Sequence, residues 1–192
     1  MAAWDEVMTQ VLTQYGASLY AYGRAVTGNK AEAEDLVHDA VVRVFSRMTS
    51  RTGAPKGRTG RRLSSTALPS TVAAYLRRTM LTIYIDGARR KQRWRSIGFR
   101  ASLPEEVPDH ADAVAARGVM SRALAHLTPM QRACILFYYY EDLTSAQVAD
   151  ELGLAHGTVR RHLHDALARL REGELVPHDA AIPTNAGEKS HG

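Results

Sequence analysis

The residues best suited to chemistry lie near the carboxyl end of the chain, where Arg160, Arg161 and His164 fall within five positions. Guanidinium and imidazole groups donate hydrogen bonds to phosphate oxygens and to the acceptor edge of guanine. His162 and His164 stand two positions apart and therefore point to different helix faces, unlike a metal-binding pair three or four positions apart. The group predicts recognition of DNA rather than catalysis.

Two helices joined by a tight turn are expected to position these side chains. Thr144 and Gln147 form a capping-box pattern at the start of the first helix. Gly153 supplies the turn, because glycine accepts backbone angles closed to other residues. An ordinary helical hairpin with a solvated charged face is the alternative to a DNA-reading helix-turn-helix. The second helix should bury one apolar face, which consists of Val159, Leu163, Ala166, Leu167 and Leu170.

Charge is distributed unevenly along the 192 residues, whose formal net charge is +5. Residues 51–100 contain thirteen Lys or Arg and one acid, Asp86, which gives this stretch a net charge of +12 against −7 for the rest. Such a concentration of positive charge favours a polyanionic partner. Nucleic acid is preferred over an acidic membrane surface, because no basic helix with bulky apolar anchors accompanies the charge.

Composition indicates a globular helical protein that is not an enzyme. Hydrophobic residues make up 45% of the chain and only 7% of residues are aromatic, which favours helices. The single cysteine, Cys134, excludes an internal disulfide and a cysteine-cluster metal site, and no catalytic triad or phosphate-binding glycine loop is present. No metal and no cofactor are expected. The chain has neither a signal-peptide pattern nor a membrane-spanning apolar run, so we expect a cytoplasmic protein without membrane association.

The expected fold is all-α, with two small helical domains joined by a flexible linker. Asn29 should cap the second helix and Thr128 should begin a helix in the second domain. In the first domain we expect helices over 5–26, 30–48 and 71–94, with a long basic loop over 49–70. The domains are expected over 1–95 and 113–175, with the linker over 96–112 and a disordered tail over 176–192.

Three stretches, in this order and spacing, resemble a known family. They are Ala33–Val41, Tyr75–Lys91 and Leu127–Leu163, the last of which contains the run Gly157-Thr158-Val159-Arg160-Arg161. The chain is similar to the group 4, or extracytoplasmic function (ECF), sigma factors of the sigma-70 family, which are promoter-recognition subunits of bacterial RNA polymerase. The resemblance implies the polymerase core, through its largest-subunit coiled coil and its flap, and promoter DNA as partners. An anti-sigma factor is a candidate further partner.

The first stretch looks like the family's polymerase-docking helix. The resemblance assigns Asp35, His38 and Asp39 to the contact with the coiled coil. Leu36, Val37, Ala40 and Val41 should face inward. His38 and Asp39 stand where the family has Gln and Glu. A solvated acidic face is the alternative for this stretch taken alone.

The second stretch looks like the segment with which the family melts and holds the −10 element. Tyr75 occupies the position where the family usually has Trp, and Thr82 the position where it usually has Asn. Core packing of Tyr75 is an equal alternative to a contact with a base. The loop over 49–70 lies where the family has a specificity loop, and an insertion without a specific role is its alternative. The resemblance assigns to the −10 DNA Arg58, Arg61, Arg62, Tyr75, Arg77, Arg78, Thr82, Arg89, Arg90, Lys91 and Arg93.

The third stretch looks like the family's −35 reader. The resemblance assigns base or phosphate contacts to Thr158, Arg160, Arg161, His162 and His164, whereas Asp165 replaces a commonly basic residue. The expected function is that of a sigma factor that binds core polymerase, recognises both promoter elements and starts promoter opening. The alternative is a stand-alone helix-turn-helix regulator, which would leave the acidic helix and the basic stretch without a role.

Overall fold

A computed structural model of the chain describes residues 2–49, 68–96 and 121–172. These residues contain helices and turns and no strand, which confirms the predicted all-α fold. The chain divides into two compact units, Met1–His110 and Ala111–Gly192. Apart from Ser96, the predicted linker lies outside the described residues, as does the predicted tail.

The first unit contains three helices, α1 (Ala2–Thr27), α2 (Lys30–Thr49) and α3 (Pro69–Ser96). The turn between α1 and α2 follows its sequence closely. Gly28 adopts a φ of 78°, which glycine accepts without strain, and its N–H donates to the Arg24 carbonyl at 2.8 Å. Asn29 caps α2 as predicted, because its Oδ1 accepts from the Glu32 N–H at 3.1 Å.

Each of these three helices packs against the other two and contributes one apolar face to a common core. Gly23 allows a close approach, since a Cβ at this position would lie 3.2 Å from the Ala33 carbonyl oxygen and 3.3 Å from Met80 Cε. The largest fully buried side chains of this core are Val11, Leu19, Val26, Val44, Val72, Leu76, Met80, Leu81 and Ile85.

The predicted loop over 49–70 is too long at both ends. Thr49 belongs to α2, and α3 begins at Pro69, two residues before the predicted start. Proline suits a first helical turn because its missing N–H would have no helical partner there. The Leu68 carbonyl accepts from the N–H groups of Thr71 and Val72, which satisfies this end of α3. Residues 50–67 lie outside the described residues.

The second unit contains α4 (described over 121–125), α5 (Pro129–Ile135), a π-helical turn (Leu136–Tyr140), α6 (Ser145–Leu152) and α7 (His156–Glu172). Both predicted capping boxes are present. Gln131 and Thr128 exchange hydrogen bonds of 3.1 and 3.3 Å at the start of α5, and Gln147 and Thr144 exchange bonds of 2.9 and 3.3 Å at the start of α6.

Arg132 joins the end of α4 to α5. Its side chain is buried, with Nε donating to the Leu124 carbonyl at 2.9 Å and an Nη to the Leu127 carbonyl at 3.4 Å. Carbonyls at a helix end have few helical partners: the Leu124 carbonyl accepts otherwise only from the Leu127 N–H at 3.1 Å, and Arg132 supplies a second donor. A buried charge is stable in this place because its hydrogen bonds are made.

The π-helical turn that follows α5 was not predicted. The Glu141 N–H donates to the Leu136 carbonyl five residues back, and Asp142 then adopts a left-handed φ of 52° before α6. The three tyrosines of this turn divide between core and surface, because Tyr138 is buried whereas Tyr139 and Tyr140 are exposed. The rings of Tyr138 and Tyr139 are in edge-to-face contact, with centroids 4.9 Å apart.

Candidate functional site

The helix-turn-helix is present as predicted. Gly153 ends α6 with a φ of 62°, and the Leu154 N–H closes the turn by donating to the Ala149 carbonyl at 2.9 Å. The predicted apolar face of α7 is wholly buried, which turns the opposite face outward. The buried residues are Val159, Leu163, Ala166, Leu167 and Leu170.

The predicted DNA readers of α7 divide between its outward face and its flanks. Thr158, Arg161 and His164 follow a three-residue spacing and are exposed, so they share the outward face. Arg160 and His162 are half-buried. Each lies about 100° from Arg161, on opposite sides of it, because an α-helix turns by that angle per residue. Arg160 therefore lies beside the outward face of α7 rather than at its centre.

Asp165 lies beside Arg161 and His164 on α7. Its Oδ2 is 3.8 Å from Arg161 Nε and its Oδ1 is 3.5 Å from His164 Nδ1. An exposed pair at this spacing contributes only a few tenths of a kcal/mol. The carboxylate nevertheless orients both side chains and competes with DNA phosphate for them, which favours base contacts of defined geometry over charge attraction alone.

His162 has a lowered pKa. Partial burial disfavours its charged form, and the nearby Arg161 acts in the same direction, although Asp165 opposes them. A neutral imidazole has one N–H donor and one acceptor nitrogen, so His162 can meet either kind of group at a base edge. His162 is therefore suited to hydrogen bonding rather than to charge attraction.

A hydrogen bond that the sequence did not predict joins the starts of the two motif helices. Ser145 Oγ lies 2.7 Å from His156 Nε2, and these are the first residues of α6 and α7. The bond fixes the separation of the two helix starts. This restraint acts at the start of α7, which is the part of the second helix that contacts bases in helix-turn-helix proteins.

The acidic face of α2 has the arrangement expected of a docking surface. Asp35, His38 and Asp39 are exposed at positions i, i+3 and i+4, and Leu36 and Ala40 are buried behind them. Val42 continues the same face at i+7 and is 47% exposed. We call these four residues, Asp35, His38, Asp39 and Val42, the α2 strip.

On α3 the structure brings together only part of the predicted −10 set. Asp86 lies on the same face as its members, and Thr82 Oγ1 donates to the Arg78 carbonyl at 3.0 Å. Arg77 lies on another face, because neighbouring residues are turned 100° apart. Five residues repeat at intervals of three, four or seven and form the α3 stripe: Tyr75, Arg78, Thr82, Arg89 and Arg93.

The end of α3 carries two further predicted DNA residues, Arg90 and Lys91, and both are exposed. Lys91 Nζ lies 3.5 Å from Glu32 Oε1 in the first turn of α2, a pair that no local pattern predicts. Lys91 is therefore shared between an acidic helix and any bound phosphate. Arg58, Arg61 and Arg62, also predicted at this site, lie outside the described residues.

No cluster of three or more metal-ligating side chains occurs within residues 2–49, 68–96 and 121–172. No helix within them is both long and apolar enough to cross a membrane. Cys134 is buried, and burial raises the pKa of its thiol to about 12, so it stays protonated and packs as a small apolar residue.

Proteins of similar sequence match most of this chain. The family model described as Sigma-70, region 4 matches residues 123–172. The ECF RNA polymerase sigma factor SigL of Mycobacterium tuberculosis is 31% identical over 174 residues, covering 88% of this chain and 90% of the relative. The RNA polymerase sigma-E factor of Streptomyces antibioticus is 31% identical over 157 residues, covering 77% of this chain and 73% of that protein.

A solved structure has the same fold. It is the sigma factor RpoE of Bartonella quintana in complex with the anti-sigma factor NepR. The match covers 85% of this chain and 94% of that one, with a TM-score of 0.54 and 19% sequence identity. At this identity the likeness concerns the fold alone.

Proposed function

Because this chain belongs to the ECF group of RNA polymerase sigma factors, which act in transcription initiation, we propose that it binds core polymerase through α2 and promoter DNA through α3 and α7. A sigma factor is not itself an enzyme; RNA synthesis belongs to the polymerase core. The observation that carries the proposal is the separation of an acidic surface and a basic surface within the first unit. The α2 strip is acidic and exposed, and α3 beside it ends in exposed cations.

Docking on the polymerase is assigned to the α2 strip. Asp35 and Asp39 supply negative charge, His38 supplies a hydrogen-bonding group, and Val42 adds an exposed apolar contact. An interface with a desolvated apolar centre and charged neighbours gains both affinity and orientation. Its partner surface should therefore be basic at its edge, which fits the coiled coil that the family resemblance implies.

Recognition of the −10 element is assigned to the α3 stripe. Arg78, Arg89 and Arg93 would follow the phosphates of one strand, while the ring of Tyr75 provides a face on which an unpaired base can stack. Thr82 lies between these groups and offers a hydroxyl. The stripe thus combines the two elements needed to hold a melted strand, namely distributed positive charge and an aromatic surface.

Recognition of the −35 element is assigned to α7. Arg161 and His164 would enter the major groove from the outward face, with Thr158 near the helix start against a phosphate. Arg160 and His162 would contact the groove walls from the flanks. Since the complex of the Bartonella relative contains an anti-sigma factor, a protein inhibitor that covers these surfaces is part of the proposal. The site of action would be the cytoplasm, with the polymerase.

A reconstituted transcription assay tests the proposed function. Core polymerase with this protein should yield run-off transcripts from a specific promoter, and core polymerase alone should not. Asp39→Arg should weaken binding to the core at least tenfold in a titration while leaving the helical content intact, because it reverses a charge in the α2 strip. Glu6→Arg is the matched control, since Glu6 is an exposed acid on α1 rather than on α2. Specific DNA binding without association with core polymerase would instead support a stand-alone regulator.

A further inference from the structure

Trp94 is the largest exposed apolar side chain in the described part of the first unit, and no role has so far been assigned to it. It lies near the end of α3 and is 58% exposed. Burial of a tryptophan side chain stabilises a fold strongly, so one left in solvent commonly marks a contact surface.

The position of Trp94 on α3 explains its exposure. Met80, Gly87 and Trp94 recur every seven residues, so Trp94 lies on the face that buries Met80 in the core. Lys91 contacts Glu32 in the first turn of α2, which places the start of α2 close to Lys91. Trp94 lies about one turn further on. The apolar face of α3 therefore continues beyond the helices that cover it.

The surroundings of Trp94 indicate what could cover it. Arg90 and Lys91 precede it by one turn and Arg93 is adjacent, and all three are exposed. Residues 87–95 contain no acid. An interfacial membrane helix would need several apolar anchors on this turn, and residues 89–93 supply none. An apolar protein surface would have to desolvate the cations, which is costly. A polyanion with aromatic faces satisfies both the charges and the ring.

We propose that Trp94 is a stacking platform for an unpaired base of promoter DNA, with Arg90 and Lys91, which lie four and three positions before it on either side of the ring, holding the neighbouring phosphates. The inference rests on the proposed function, because it adds a second aromatic contact to the DNA held by α3. Tyr75 and Trp94 would lie near opposite ends of the same helix. Stacking on an aromatic side chain is tolerant of base identity, so Trp94 would add affinity more than sequence choice.

The fluorescence of Trp94 provides a direct test in the full-length chain. The sequence contains two tryptophans, so Trp4→Phe leaves Trp94 as the only reporter. A mixed-sequence single-stranded oligonucleotide should quench its emission saturably, whereas heparin, which has charge but no bases, should bind without comparable quenching. Equal quenching by heparin, or none by the oligonucleotide, would overturn the inference.

Two substitutions separate stacking from charge. Trp94→Ala should weaken single-strand binding about 5- to 100-fold, and Trp94→Phe should retain much of that affinity. The salt dependence should be unchanged in Trp94→Ala, because stacking releases no counterions. Arg90→Ala should instead reduce the slope of log affinity against log salt by about 0.7. A lower salt slope in Trp94→Ala, with helical content preserved, would also count against stacking.

The transcription assay distinguishes this inference from the proposed function. If Trp4→Phe supports run-off transcription but Trp94 shows neither quenching nor a loss on substitution, the sigma-factor role stands and the stacking role fails. If Trp94 is quenched by single strands but the protein never associates with core polymerase, the stacking role is supported and the sigma-factor role fails.

Discussion

Two cationic helices, α3 and α7, are proposed to meet DNA, and they are held in place by different means. α7 is framed by a capping box, a left-handed glycine, a buried arginine and the bond from Ser145 to His156. α3 is one helix of 28 residues whose last turns extend past α2. Outward cations on α7 lie against Asp165, whereas residues 87–95 of α3 contain no acid.

This difference indicates two modes of recognition. A duplex groove is read by side chains whose positions must be correct within a fraction of an ångström, and a rigid frame supplies that accuracy. A melted strand is flexible and can adapt, so a long helix with charge and aromatic faces is sufficient to hold it. If this comparison is right, damage to the frame should abolish binding by α7 and leave binding by α3 intact.

The largest expected effect comes from Arg132→Met, which removes the cation between α4 and α5. The Leu127 carbonyl would lose the Arg132 donor and the Leu124 carbonyl would keep only the Leu127 N–H, so the free energy of unfolding of the second unit should fall by about 3 kcal/mol. Urea denaturation followed by circular dichroism measures it. Arg122→Met is the control, since Arg122 is exposed on α4 and its loss should cost less than about 0.5 kcal/mol. Binding of a −35 duplex should weaken in Arg132→Met while single-strand binding persists, and parallel losses of both would break the comparison.

The next effect concerns the outward face of α7. Arg161→Ala should reduce the binding free energy by about 1–3 kcal/mol at one position of the −35 element if the guanidinium donates two hydrogen bonds to one guanine. Arg160→Ala should cost less, because Arg160 lies half-buried on the flank. Affinities for duplexes with single base changes measure this. Arg169→Ala, in the last turn of α7, controls for loss of one positive charge. An equal loss of affinity on scrambled DNA would mean that Arg161 contacts only phosphate.

The sequence predicted the features that depend on local interactions, and it did not predict those that depend on contacts between distant segments. The caps at Asn29, Thr128 and Thr144 and the turn at Gly153 were predictable, because each depends on a residue and its neighbours within four positions. The outward set of α7 was only partly predicted: Arg160 and Arg161 are adjacent in sequence but face different directions.

The remaining features depend on contacts between segments far apart in sequence. The pairing of Glu32 with Lys91 and of Ser145 with His156 arises only once helices pack. The π-helical turn arises where Phe137 is fully buried while Tyr139 and Tyr140 remain in solvent. No local propensity distinguishes that turn from a continuing α-helix. Exposure of Trp94 likewise depends on where α2 begins.

A smaller effect is expected at the turn that follows the π-helical segment. Asp142 has a φ of 52°, a region that aspartate tolerates and alanine disfavours. Asp142→Ala should destabilise the second unit by about 1 kcal/mol, while Asp142→Gly should be neutral or slightly stabilising. Thermal unfolding of the two variants, with Asp142→Asn as a control for the charge, measures the difference. If alanine were as stable as aspartate, this turn would not belong to the rigid frame of α7.

The smallest expected effect is a pH dependence from His162, whose pKa is lowered in the folded chain chiefly by partial burial. In the unfolded chain the imidazole has a pKa of about 6.5 and binds a proton more readily than in the folded one. The unfolded state therefore gains protons first as the pH falls, and folding stability decreases from about pH 6.5 downward to the lower folded pKa. Above about pH 6.5 the contribution is constant. His162→Gln should remove this component, so the difference in unfolding free energy between parent and variant should shift between pH 8 and pH 5. Because α7 is held rigidly, the shift should appear in the unfolding of the second unit alone. An identical pH profile in parent and variant would mean that His162 is exposed to solvent in the folded chain.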